Sequence, residues 1–169
     1  RPARKVMITG KGRCNVTNAC SLLNEFIENV PVNGRFLYGA LSRFMPFDTM
    51  DFFEELGVQL KIERGNRVFP ESDKAVEIVD ALHNFLKQNN VKRVKARIIR
   101  FNINEGRIVS CEDEDGNIYQ AEKYILSTGG KSYPLTGSTG DGYSLARQCG
   151  HTISELKPSL VPVNTSDDW

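Results

Sequence analysis

A change of hydrophobic period partway along the chain limits its fold more than any other feature. Across residues 73–88, behind a Ser72 cap, Ala75, Val76, Val79, Leu82 and Leu86 recur at helical spacing and share one face. From residue 97 the period becomes two. Residues 97–103, 107–113 and 117–120 read as strands, joined by Asn104-Glu105-Gly106 and Asp115-Gly116, both strong hairpin signals. An antiparallel meander directly after an amphipathic helix gives this chain an α+β pattern.

The flanking segments are shorter. Residues 5–8 read as an apolar strand running into Thr9-Gly10-Lys11-Gly12-Arg13-Cys14-Asn15. Residues 21–60 are helical in pattern but broken by Pro31, Gly34 and Pro46, with Asp48-Thr49 as a cap for a helix through Leu56 that Gly57 stops. Residues 58–62 and 67–69 read as a hairpin around Gly65-Asn66. Beyond the meander, residues 124–127 read as a strand ending at Thr128-Gly129-Gly130. A helix follows from a Thr139 cap to Gly150, and residues 160–163 read as an edge strand or crossover because of Pro158 and Pro162.

Charge and composition narrow the function classes. The 169 residues carry 22 Lys and Arg against 21 Asp and Glu, a balance that argues against a dedicated polyanion binder. The cations Lys92, Arg93, Lys95 and Arg97 read as the solvated face of a strand edge. No apolar run reaches the roughly 18–20 residues of a membrane span, and no segment reads as a signal peptide. The expectation is a cytoplasmic protein with neither nucleic acid nor membrane among its partners. Cys14, Cys20, Cys111 and Cys149 lack zinc-site spacing, and His83 and His151 are the only histidines, so no metal is expected. The chain opens on Arg1 rather than Met, so it reads as processed or as a piece of something longer.

Two glycine-rich turns carry the candidate chemistry, each after a short apolar strand. Glycine lets a ligand approach the backbone, and Lys11 and Arg13 add cations suited to a pyrophosphate; a purely structural turn fits the same residues. Two familiar phosphate motifs fail. Gly130-Lys131-Ser132 lacks the first P-loop glycine, which would fall at Ile125, and Gly10-Lys11-Gly12 is followed by Asn15 where a dinucleotide fingerprint needs its third glycine. Asp141 already supplies negative charge to the first turn of its helix, which disfavours a phosphate there.

Longer motifs are more specific. Gly10-Lys11-Gly12-Arg13-Cys14-Asn15-Val16-Thr17-Asn18 resembles the GGGRCNVTN signature of the aminoacetone-oxidase-like (BaiN-like) flavoproteins, also described as NAD(FAD)-utilising dehydrogenases. Arg67-Val68-Phe69-Pro70 with Ser72 and Lys74-Ala75, then Thr128-Gly129-Gly130-Lys131-Ser132-Tyr133-Pro134, then Thr136-Gly137-Ser138-Thr139-Gly140-Asp141-Gly142-Tyr143 follow in the family's order. Gly150-His151 and Pro158-Ser159-Leu160-Val161-Pro162 close it, so the resemblance covers essentially the whole chain.

The resemblance implies an α/β FAD-binding domain of the glutathione-reductase type. Residues 1–163 would be part of that domain, and residues 164–169 would start the connection to a substrate domain. It further implies an incomplete domain, since the family's opening βαβ unit is not among these residues, and it makes the chain an interior piece of a longer flavoenzyme. Gly10, Gly12, Arg13, Cys14 and Asn15 would lie along the pyrophosphate and flavin, Ile98 would pass the adenine, and Thr128, Gly129 and Gly130 would close a strand against the cofactor. Arg13 would stabilise negative charge on reduced flavin. Cys14 beside a flavin invites a redox role, but with no second thiol in the loop it reads as a packing residue. Lys11 stands where the family usually has glycine. The implied activity is hydride transfer between FAD and a small organic substrate, with NAD(P)H as a candidate reductant. No residue reads as the general acid or base, and His151 reads as structural. The alternative is a non-catalytic fragment or assembly module that self-associates and holds no tight cofactor of its own.

Overall fold

The structure, a computed structural model, describes residues 3–157, which fall into two compact units divided between Arg93 and Val94. The strand-like residues 160–163 and the connection at 164–169 lie outside the described residues.

In the first unit the strand expected at residues 5–8 is replaced by a 3-10 segment, Val6–Gly12. No strand among the described residues pairs with this short apolar run. Its amides are satisfied locally instead, Ile8 N–H donating to Lys5 O at 3.1 Å and Cys14 N–H to Thr9 O at 3.0 Å. The chain then forms β1 (Thr17–Asn18), α1 (Leu23–Glu28), α2 (Tyr38–Leu41), α3 (Pro46–Glu55), β2 (Leu60–Glu63), β3 (Arg67–Pro70) and α4 (Ala75–Gln88). The expected hairpin is present, and β3 is the middle strand of an antiparallel sheet in the order β1-β3-β2. Helix α3 starts two residues before the expected cap because Pro46 occupies its first turn, where the missing N–H costs nothing. Asp48 acts from inside that turn, its carboxylate accepting the Met45 N–H. Gly57 ends the helix at φ +86°.

Helix α4, by contrast, starts later than expected. Lys74 is its extended cap residue, and the Ser72 hydroxyl accepts the Lys74 N–H at 3.3 Å. Its buried face is Ala75, Ile78, Val79 and Ala81, while Val76, Leu82 and Leu86 are half-buried. Ala75, Ile78 and Ala81 share a core with Cys14, Phe53 and Val58. Phe52 bridges the edge of Phe53 and that of Phe85, each ring pair 5.2 Å apart in an edge-to-face arrangement.

The second unit contains the predicted meander as β4 (Ile98–Asn104), β5 (Arg107–Asp113) and β6 (Ile118–Tyr119), in the order β4-β5-β6. Its second turn closes on Asp113, a buried carboxylate that accepts bonds from the Asp115 and Asn117 amides, the Asn117 side chain and the Tyr119 hydroxyl. The Asn117 and Tyr119 side chains, in that order, hold the Asp113 carboxyl below the usual range. Helix α5 (Asp141–Gln148) follows, with Gly140 rather than Thr139 at its cap. Gln148 ties α5 to β4, accepting the Phe101 N–H at 2.9 Å and donating to Ile99 O at 3.0 Å. Residues 124–127 do not form the expected strand. Among the described residues no strand lies alongside them, Ile125 is 90% exposed, and the Tyr124 hydroxyl donates to Val109 O of β5 at 3.1 Å. A segment this short needs a partner strand to satisfy its backbone.

Gly34 tests the packing around α1. A Cβ there would stand 2.5 Å from the Ile27 carbonyl oxygen, a backbone atom that cannot turn aside. Gly34→Ala should therefore destabilise the protein by about 1–3 kcal/mol, read as a lowered denaturant midpoint with an unchanged m-value; equal or greater stability would show that α1 yields.

Candidate functional site

The first glycine turn is fixed by its backbone. Gly10, Lys11, Gly12 and Cys14 all sit at positive φ, between +55° and +86°. A Cβ on Gly10 would come within 3.1 Å of the Asn15 nitrogen and 3.2 Å of the Phe69 ring, so only glycine fits there. Lys11 adopts the left-handed conformation at φ +59°, which costs a residue with a Cβ about 1–2 kcal/mol. Asn15 anchors the end of the turn, its side-chain oxygen accepting the Val68 N–H at 3.3 Å.

Arg13 is held on three sides. Its guanidinium centre lies 4.1 Å from the centroid of the buried Phe69 ring. Nε donates to Asp73 Oδ1 at 2.8 Å, Nη1 donates to Glu63 Oε2 at 3.2 Å, and Nη2 bonds both carboxylates. Lys61 completes the cluster, with Nζ 2.9 Å from Asp73 Oδ2. The bonds to Glu63 and then Asp73 raise the Arg13 pKa. Arg13 lowers that of Glu63, while Lys61 and then Arg13 lower that of Asp73. Glu63, Asp73, Lys61 and Phe69 were missed in the sequence reading. The hairpin held a signal for three of them: with Lys61 opposite Phe69 and Glu63 opposite Arg67, period-two alternation puts all four on one face. Cys14, 6% exposed, has its thiol pKa pushed up by burial, partly offset by a bond with Thr9. A protonated, enclosed thiol packs rather than reacts.

Both carboxylates of the Arg13 cluster titrate below their ordinary values of 4.5 and 3.8. Their contribution to stability is complete above those values and is lost as pH falls through the lowered ones. Glu63→Gln should lower the thermal midpoint at pH 7 and flatten its decline below about pH 4.5 relative to the wild type. Parallel curves for the two proteins would refute a stabilising role for the clamp.

The second turn lies against the start of α5. Gly129 is left-handed at φ +73°, and Thr128 and Gly129 are exposed. The Thr128 side chain fills the space a side chain at the buried Gly142 would need, with Leu126 at 3.9 Å from the same point. The Cβ position of Gly130 is 3.4 Å from the Tyr143 hydroxyl. Asp141, in the first turn of α5, is paired with Arg97 through bonds of 2.9 and 3.2 Å, and Arg97 holds its carboxyl low. Ile98 opens β4 opposite Asp113 and is half-buried. Gly10, Gly12, Arg13, Cys14 and Asn15 thus gather in the first unit, and Ile98, Thr128, Gly129 and Gly130 in the second. His151 is exposed, with its N–H on Ala146 O at 3.1 Å.

Two effects oppose each other at Gly142. Alanine gains about 1 kcal/mol of helix propensity, but overpacking against Thr128 costs about 1–3 kcal/mol. Gly142→Ala should thus be neutral to destabilising alone and should become stabilising when combined with Thr128→Ala. Additive effects in the double-mutant cycle would show that the two positions do not touch.

Comparisons with known proteins assign the sequence to a domain type. The profile of the HI0933-like protein Rossmann domain matches residues 1–164. The chain is 34% identical over 161 residues to the 3-dehydro-bile acid delta(4,6)-reductase of Clostridium scindens, covering 94% of this chain and 37% of that protein. It is 29% identical to the ribosomal RNA dihydrouridine synthase of Escherichia coli and 26% identical to that of Haemophilus influenzae, covering 39% of each. The chain therefore spans under two-fifths of these relatives. The last two overturn the expectation that nucleic acid has no place among the partners of such proteins. That expectation rested on overall charge, and a balanced total averages over local basic and acidic regions. Among the described residues no helix is long and apolar enough to cross a membrane.

Proposed function

The chain belongs to the HI0933-like family through its α/β Rossmann-like domain, and from that premise we propose that it is part of an FAD-dependent oxidoreductase. FAD, when bound, supplies two-electron hydride chemistry, with NAD(P)H as the proposed source of the hydride. The names of the delta(4,6)-reductase and the dihydrouridine synthases both describe reductions, so the proposed transfer runs from reduced flavin to a small organic group. The synthases' names also bring RNA into the proposed range of partners, with that group carried on a base.

The observation that carries this reading is the pair of exposed, left-handed glycine turns. Gly12 and Gly129 meet nothing closer than 3.9 Å where a Cβ would stand, which leaves bare backbone suited to a flat, phosphate-bearing ligand. Gly10, Gly12, Arg13, Cys14 and Asn15 in the first unit, and Ile98, Thr128, Gly129 and Gly130 in the second, are the proposed cofactor-binding residues. Glu63 and Asp73 already balance the charge of Arg13, so we assign Arg13 to placing the loop and Lys11 to supplying the loop's positive field. Residues 1–163 are proposed as the cofactor-domain portion of the chain. The full-length protein should purify yellow and keep its flavin through gel filtration, and Gly129→Val should weaken that retention. A colourless full-length protein that FAD does not reconstitute would sink the reading.

A further inference from the structure

The balanced total charge conceals one strongly basic run. Residues 81–104 hold six of the 22 cations, Lys87, Lys92, Arg93, Lys95, Arg97 and Arg100, and none of the 21 acids. The rest of the chain is left with 16 cations against 21 acids. All six basic residues are exposed. Arg97 pairs with Asp141 and Glu114, and Arg100 with Glu112. Among the described residues, ion pairs reach none of Lys87, Lys92, Arg93 and Lys95. A solvated strand face does not account for them, because β4 begins only at Ile98 and residues 91–97 form no regular structure.

Arg93 adds a second feature. Its Nη1 is 3.1 Å from His83 Nδ1 and its Nη2 is 3.3 Å from His83 Nε2. The two ring nitrogens point apart within the ring plane, so one guanidinium reaches both with its N–H edge turned toward the ring. The result is an oriented planar cation, ten residues along from His83 and held to it, one helical turn from Lys87. Exposed guanidinium planes of this kind stack unpaired bases, and neighbouring lysines take the phosphates.

We propose that the end of α4 and residues 89–93 form a contact surface for single-stranded RNA. Lys87 and Lys92 neutralise phosphates, and the Arg93 guanidinium plane stacks a base. This deepens the RNA part of the proposed function and is independent of the flavin site.

The test is fluorescence anisotropy of the full chain with a short labelled oligouridylate across a salt series. The wild type should bind with a steep salt dependence. Lys87→Gln/Lys92→Gln should weaken binding and reduce the log–log salt slope by about 1.4, at about 0.7 for each single-strand phosphate contact. Arg93→Lys keeps the charge but loses the flat face, so it should weaken binding with the slope unchanged. All variants should melt like the wild type, since these side chains are exposed. If the wild type does not bind the RNA, the RNA reading and the surface fail together. If it binds and the double lysine variant matches it in affinity and slope, the surface alone fails. Capture by phosphatidylserine vesicles through the same lysines, without RNA binding, would also overturn the proposal.

Discussion

The first unit depends on one guanidinium. Arg13 leaves the glycine turn, lies on Phe69 of β3, and is held by Glu63 from β2 and Asp73 from the approach to α4. Turn, sheet and helix entry therefore meet at a single planar cation. Lysine could not replace it, because a point charge offers neither the fork that spans two carboxylates nor the flat face that covers an aromatic ring. The same contacts explain why a half-exposed charge cluster sits beside a well-buried ring. The ring supports the cation from below, and the carboxylates fix its orientation in the plane.

Much of this architecture was legible where a segment carries its own partner. The hairpins around Gly65-Asn66 and Asp115-Gly116 form as read, since both strands and the turn lie within a few residues. Helix α4 was legible from its period, with an error of two residues at the end where Ser72 acts from outside the helix. The failures are segments whose structure depends on something not adjacent in sequence. Residues 5–8 and 124–127 have strand composition, but composition does not provide a neighbour, and each takes another form. The site divides in the same way. The glycine turns were visible as motifs, whereas Glu63 and Asp73 lie 50 and 60 residues from Arg13; the hairpin register groups Glu63 with Lys61 and Phe69, and Asp73 lies beyond its reach.

Charge illustrates a related point. A near-neutral total led to the exclusion of polyanions, yet acids and bases are unevenly distributed along the chain, and electrostatic attraction acts over about 10 Å rather than over a whole molecule. The local run after α4 and its ion pairs carry information that the sum erases.

The four positive-φ residues between Gly10 and Cys14 have a bearing on kinetics. A loop held in this conformation by Phe69, Asn15 and the Arg13 clamp has lost its backbone freedom during folding, at about 1–2 kcal/mol per residue. A ligand that docks on it meets an ordered surface and carries none of that ordering cost itself. Affinity at this turn should then vary through dissociation rates, with association limited by encounter rather than by loop rearrangement.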